Sequence, residues 1–332
     1  MKITAIADAY IPADMLSAGL EKLVDAGHEV TIFEWMTESI EKLQEANLDI
    51  EQHGPNSYEL PGDISDAIKN SDAVITQFAP IGSDLINSCE KLKFIGVLRG
   101  GTENVDQNAA DDASVKVINT PGRNARAVAE FAVGMILSEC RNIARTHHAM
   151  KKNIWLKDFP NGADIPELEG KVLGVVGAGN IGQLVMKFMS GMDMTCEFFD
   201  PYTQTSKYGE KVETLEELAS QADVLTIHSR LTSDNHHLVS EKILSLMKPT
   251  AVLVNTARSG LVDEKALIKA LKEKKIIGAA IDTFDNEPLP ADSAWLELEN
   301  ATITSHIAGS TTDAFRKTPI LLSDRMLEAF KN

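Results

Sequence analysis

Apolar residues in the first hundred positions fall into short runs separated by helical repeats. Residues 2–7 alternate as a strand, 13–26 place Leu16, Leu20 and Leu23 on one helical face, and 30–33 form a second strand. Further strands are expected at 73–76 and 94–97, with a helix between them. Strands alternating with helices imply a parallel sheet covered on both faces. Residues 45–62 are polar and punctuated by Pro and Gly, so a surface excursion is expected there.

The rhythm breaks at Asn119-Thr120-Pro121-Gly122, and a long helix is predicted over 124–151, where Val128, Phe131, Ala132, Met135 and Ile136 recur at helical spacing. A second series begins at Lys171, with strands at 172–176, 195–199, 224–228, 251–254, 278–281 and 301–304. A last helical stretch covers 311–330. The simplest account is an α/β fold with two doubly wound parallel sheets, the second unit inserted before the final helix.

Length and charge narrow the class. A chain of 332 residues is long for one compact core and comfortable for two. A net charge of −17 argues against a nucleic-acid backbone or an anionic membrane surface as partner. No apolar run approaches the roughly 20 residues of a membrane helix. The first ten residues, which include Asp8, do not resemble a signal peptide. Cys89, Cys140 and Cys196 are widely separated, which disfavours a disulfide framework or structural zinc and suits a reducing cytoplasm. The tandem pairs His147-His148 and His236-His237 lack acidic or Cys partners at ligand spacing, so no metal site is expected. Met186, Met189, Met192 and Met194 read as core filling.

The clearest local signal is Leu173-Gly174-Val175-Val176-Gly177-Ala178-Gly179-Asn180-Ile181-Gly182. An apolar strand runs into Gly177, which permits a tight turn. Gly179 lets the backbone approach a pyrophosphate, and Gly182 lets the following helix pack on the strand. The N–H groups at that helix start then face the diphosphate. Asp200 ends the next strand at the spacing where a carboxylate bonds both ribose hydroxyls and repels a 2′-phosphate, which favours NAD over NADP.

Three later strands run into polar groups that a fold alone does not need. They are Asn255-Thr256-Ala257-Arg258-Ser259-Gly260, then Asp282-Thr283-Phe284-Asp285-Asn286-Glu287-Pro288, and Ser305-His306-Ile307-Ala308-Gly309. Ligands of open parallel sheets sit beyond the carboxyl ends of strands, so Arg258, Glu287 and His306 can converge near the cofactor's reactive end. Arg258 suits a substrate carboxylate and the polarisation of a neighbouring 2-oxo group. His306 suits proton transfer to and from the oxygen, and Glu287 suits orienting the imidazole.

These motifs, with Ala127-Val128-Ala129-Glu130 and Arg141, resemble the D-isomer-specific 2-hydroxyacid dehydrogenase family over nearly the whole chain. That family includes phosphoglycerate, D-lactate, glycerate and glyoxylate/hydroxypyruvate enzymes. The resemblance implies that Arg258, Glu287 and His306 are catalytic. It implies cofactor contacts at Asn180, Ile181, Asp200, Ser229, Thr256, Ala257, Asp282, Ala308 and Gly309. It also implies a flavodoxin-like substrate domain of 1–119 plus 308–332, a Rossmann NAD-binding domain of 120–307, and a homodimer joined through the helix and arm near 124–155. The substrate loop falls at Leu98-Arg99-Gly100-Gly101-Thr102, where the N–H groups of Gly100 and Gly101 can cradle an anion. Arg99 adds a second anionic contact, which favours a phosphorylated or polyhydroxy acid, such as 3-phosphoglycerate, over a short apolar one.

The chain departs from the family pattern at three places. Arg230 stands where Pro is frequent near the adenine pocket, which bears on the strictness of the NAD preference. Ser305 stands where Pro usually precedes the catalytic His. No C-terminal regulatory domain is expected beyond Phe330, and hence no serine-type feedback through one. A rival from another class is an NAD(H)-sensing interaction protein, like the corepressors built on the same fold.

Overall fold

In the computed structural model, which describes residues 1–331, the short apolar runs become strands of two separate parallel sheets. The sheets belong to two units, one made of residues 1–124 with the C-terminal stretch from Thr311, the other of residues 125–310.

The first unit contains β1 (Lys2–Ala7), β2 (Glu29–Glu34), β3 (Ala73–Thr76), β4 (Phe94–Val97) and β5 (Lys116–Asn119), in the order β2-β1-β3-β4-β5. This is the flavodoxin-like order. Alternation decides the faces. Ile3, Ala5 and Ala7 pack with Leu16, Leu20 and Leu23 and with Phe315, Leu322 and Met326 of the helix Thr312–Ala329. Ile6, Val74, Ile95 and Val97 pack with Leu43, Ala46 and Ile50 on the other side.

The second unit contains β6 (Val172–Val176), β7 (Thr195–Phe199), β8 (Glu210–Lys211), β9 (Val224–Ile227), β10 (Val252–Asn255), β11 (Gly278–Ile281) and β12 (Ala301–Ile303). Their order, β12-β11-β10-β9-β6-β7-β8, reverses between β6 and β9, the switch point where ligands of such sheets bind. Leu253, Ala279 and Ile281 enter one core, and Val252, Val254 and Ala280 the other.

Several expectations are corrected. The first half of the polar stretch 45–62 is the end of a helix, Ile40–His53, capped by Ser39, whose Oγ accepts the Lys42 N–H at 3.3 Å. Its buried Leu43, Ala46 and Ile50 form a sparse stripe at helical spacing, enough to dock an otherwise polar helix. The predicted helix over 13–26 divides at Leu20 into Ala13–Gly19 and Glu21–Asp25. The predicted helix over 124–151 breaks at Asn142, which has φ +59°, into Ala125–Cys140 and Ile143–Lys151. The short strands β5 and β8 were not anticipated, since neither carries a continuous apolar run. Met192 is 37% exposed, unlike the buried Met186, Met189 and Met194. Among the described residues no helix is long and apolar enough to cross a membrane.

Candidate functional site

The turn after β6 is built from backbone. Gly177 has φ +95°, and a Cβ there would stand 2.6 Å from Ser229 Oγ. A Cβ on Gly182, in the helix Asn180–Ser190, would stand 2.1 Å from the Gly177 carbonyl oxygen. Both positions therefore exclude a side chain. A Cβ at Gly179 would meet nothing within 4 Å, so the space over the helix start is open. Asn180 and Ile181 open that helix, and Ser229 Oγ donates to the Val176 carbonyl at 3.2 Å.

Asp200, buried at the end of β7, ties this turn to its neighbour. Its Oδ2 accepts the Ala178 N–H at 2.8 Å, and its Oδ1 accepts those of Tyr202 and Thr203 at 2.7 and 2.9 Å. Burial opposes its charge, but the three N–H groups and the Lys211 charge together hold the carboxyl below the usual carboxylate range. The open glycine, the positive helix end and a fixed anion at the next strand fit a dinucleotide without a 2′-phosphate. Thr256 adds a buried hydroxyl with no partner among the described groups.

At the carboxyl end of β10, the Asn255 side chain closes the turn that carries Arg258. Its Oδ1 accepts the Ala257 N–H at 3.0 Å and its Nδ2 donates to the Arg258 carbonyl at 2.9 Å. The exposed guanidinium donates through Nη1 to the Ala257 carbonyl at 2.8 Å. Beyond β11 and β12, Glu287 Oε2 lies 2.7 Å from His306 Nδ1, and Glu287 Oε1 accepts the Phe284 N–H at 2.9 Å. Burial opposes the charge of Glu287. The bonds from His306 and Phe284, with the charges of His306 and Arg258, outweigh it and hold the carboxyl below its ordinary range. Glu287 and His306 are thus in contact, and Arg258 is near enough for its charge to act on Glu287.

His306 has φ +55°, a left-handed conformation that needs support. Asp282, fully buried, supplies it. Its Oδ1 accepts the Thr304 hydroxyl at 2.5 Å and the Ile307 N–H at 3.1 Å, and its Oδ2 accepts the Ala308 N–H at 2.9 Å. The carboxylate fastens the turn on both sides of His306, ahead of Gly309, with Ser305 in place of a rigid Pro. Within β12, which leads into this turn, the Thr302 hydroxyl donates to Glu139 Oε2 at 2.6 Å, and Glu139 Oε1 accepts the Arg145 guanidinium at 2.6 Å. Sequence reasoning passed over Asn255 and Glu139. A strand-ending Asn before a turn, and a Glu within the apolar pattern of 125–140, were the available signals.

Arg99, Gly100 and Gly101 belong to the first unit. The Gly100 carbonyl accepts Asn119 Nδ2 at 2.6 Å. The Arg99 guanidinium is held by Asn47 at 2.6 Å, by Glu51 at 2.5 Å and by Glu103 at 3.2 Å.

Two family descriptions match the chain: the catalytic domain of D-isomer-specific 2-hydroxyacid dehydrogenases over residues 30–220, and the NAD-binding domain of the same enzymes over 133–308. A D-3-phosphoglycerate dehydrogenase of Methanocaldococcus jannaschii is 35% identical over 274 residues, 81% of this chain and 52% of that protein. The chain thus spans about half the length of that relative. A glyoxylate reductase of Thermofilum pendens is 34% identical, with 80% of each chain covered. The solved structure of a D-2-hydroxyisocaproate dehydrogenase aligns with a TM-score of 0.77 at 25% identity, covering 100% of this chain and 97% of that one. The chain therefore belongs to the D-isomer-specific 2-hydroxyacid dehydrogenase family, a family of NAD-dependent oxidoreductases, and carries its NAD-binding domain in the second unit.

Proposed function

We propose that the protein interconverts a D-2-hydroxy acid and its 2-oxo acid with NAD as the hydride carrier. The observation that carries this reading is the 2.7 Å bond between Glu287 Oε2 and His306 Nδ1. An ionised Glu287 can only accept, so Nδ1 carries the hydrogen and Nε2 is the nitrogen that exchanges a proton with the substrate oxygen. Arg258 binds the substrate carboxylate through its planar fork and polarises the neighbouring 2-oxo group. Bound NAD supplies or accepts the hydride at the same carbon. Gly177, Gly179, Asn180, Ile181, Gly182, Asp200, Ser229, Thr256, Ala257, Ala308 and Gly309 hold it, and Asp282 acts through the His306 turn. On reduction His306 gives its proton to the carbonyl oxygen, and on oxidation it takes one from the alcohol.

The first unit serves as the substrate domain, with the N–H groups of Gly100 and Gly101 receiving an anion and a phosphorylated or polyhydroxy acid as substrate. A reducing cytoplasm suits the unpaired cysteines. Burial pushes the Cys140 thiol up to about 12 and the Cys196 thiol up to about 11, which keeps both protonated. Exposed Ile143, Met150, Ile154 and Trp155 support a homodimer through the arm near 124–155. Light scattering is expected to give twice the chain mass, and Trp155→Glu to shift it to the monomer; a wild-type monomer would refute the dimer.

A spectrophotometric screen of 2-oxo acids with NADH and NADPH, and of D- and L-2-hydroxy acids with their oxidised forms, tests the activity. Turnover of D-isomers, with NADH at least about tenfold better than NADPH, is expected from the Asp200 carboxylate. NADH binding without turnover of any acid would sink the reading.

A further inference from the structure

Three rings of the first unit form a row with a guanidinium at each end. The Arg123 guanidinium lies 5.2 Å from the centroid of Phe315. Phe315 stacks on Tyr10 at 4.7 Å, Tyr10 neighbours Phe78 at 6.1 Å, and Phe78 lies 5.2 Å from the Arg99 guanidinium. The Thr120 N–H donates to the Arg99 carbonyl at 3.0 Å, so the loop after β4 and the turn after β5 lie together.

The two cations differ in their company. Arg99 already meets the carboxylates of Glu51 and Glu103. Arg123 forms no ion pair among the described residues, and its Nη1 is buried without a hydrogen-bond partner. The carboxyl that acts on it is Asp8, whose Oδ1 accepts the Tyr10 and Ile11 N–H groups at 2.9 Å each. Burial pushes Asp8 up to about 6, while burial and the Arg99 charge push the Arg123 guanidinium down to about 10 against the opposing Asp8 charge. Gln77, next to Phe78, is also buried with neither amide atom partnered. Arg123 is partly buried, and a buried guanidinium nitrogen without an acceptor is costly unless a ligand or water supplies one. An aromatic face behind it leaves its in-plane N–H groups for a pair of oxygens.

We propose that Arg123, rather than Arg99, receives an anionic substituent of the substrate, a phosphate or a second carboxylate, and sets the enzyme's preference for dianionic 2-oxo acids. This rests on the activity proposed above, in which the first unit serves as the substrate domain.

The test compares wild type, Arg123→Met and Arg123→Lys on 3-phosphohydroxypyruvate and 2-oxoglutarate against glyoxylate and pyruvate. Arg123→Met is expected to raise KM for the dianionic class about 10- to 100-fold, the worth of a charge-assisted bond, with kcat held within about threefold. The KM for glyoxylate stays near wild type, and Arg123→Lys recovers part of the loss. A loss confined to the phosphorylated acid identifies phosphate as the ligand group, and one confined to 2-oxoglutarate a carboxylate. Equal losses in both classes, or the selective loss appearing in Arg99→Met instead, overturn the proposal. A second measurement is independent of turnover: inorganic phosphate is expected to raise the Tm of wild type more than that of Arg123→Met. If no acid is reduced at all, the activity reading fails while the phosphate comparison still decides the site. Equal phosphate protection of both proteins overturns it.

Discussion

Replacing His306 with Gln is expected to lower kcat by about two to four orders of magnitude, the usual contribution of a positioned general acid–base. That corresponds to roughly 3–5 kcal/mol of transition-state stabilisation. Gln keeps a polar side chain beside Glu287 but cannot release or take a proton at neutral pH. The dinucleotide turn should be unaffected, because it is held by Gly177 and Gly182 and by three backbone bonds to Asp200, none of which involves His306. NADH affinity, followed by fluorescence titration, is therefore expected to stay within about threefold. A matching collapse of NADH binding and kcat would assign His306 to the cofactor instead of the proton.

The second large effect is expected at Arg258. Truncation to Met removes the fork that holds the substrate carboxylate, and losing one partner of such a pair costs about 2–5 kcal/mol. The expected fall in kcat/KM is therefore about 30- to 5000-fold. Lys should restore only part of it, since a single point charge cannot present two parallel donors to a carboxylate and polarise the neighbouring oxo group as well. Tm should barely move. Asn255 secures the turn through the Ala257 N–H and the Arg258 carbonyl, so the backbone keeps its shape when the side chain is cut. Full rescue by Lys, or a loss residing wholly in NADH affinity, would contradict the assigned role.

Much of this site was legible in advance because local geometry dictates residue type. Gly177 must be glycine when φ is +95° and Ser229 lies against it, and Gly182 must be glycine when a carbonyl occupies the place of its Cβ. Such demands leave a spaced signature in the chain. Asp200 was legible for the same reason, being the acid that closes the neighbouring strand. Less visible were features whose warrant is a distant partner. The helix Ile40–His53 is mostly polar, and three buried residues suffice to dock it. The break at Asn142 depends on bonds of its amide to Asn161 at 2.7 Å and to Arg145 at 3.0 Å. No local pattern announces either.

The two arginines of the first unit mark the same boundary. As residues in a chain, Arg99 beside two glycines was the natural anion contact, and Arg123 was one more charge in a turn. Only the fold shows that Glu51, far away in sequence, reaches Arg99, while Arg123 is left over Phe315 of the last helix with a buried nitrogen unmatched. Periodicity and turn chemistry act over a few residues, so strand order, the glycine turn and the identities of Arg258, Glu287 and His306 could be read along the chain. The Glu287–His306 bond and the support that Asp282 gives to the His306 turn join separate strand ends, and which charges are compensated depends on which side chains the core brings together. Those pairings are long-range electrostatics and packing, and they exist only once the sheets have assembled.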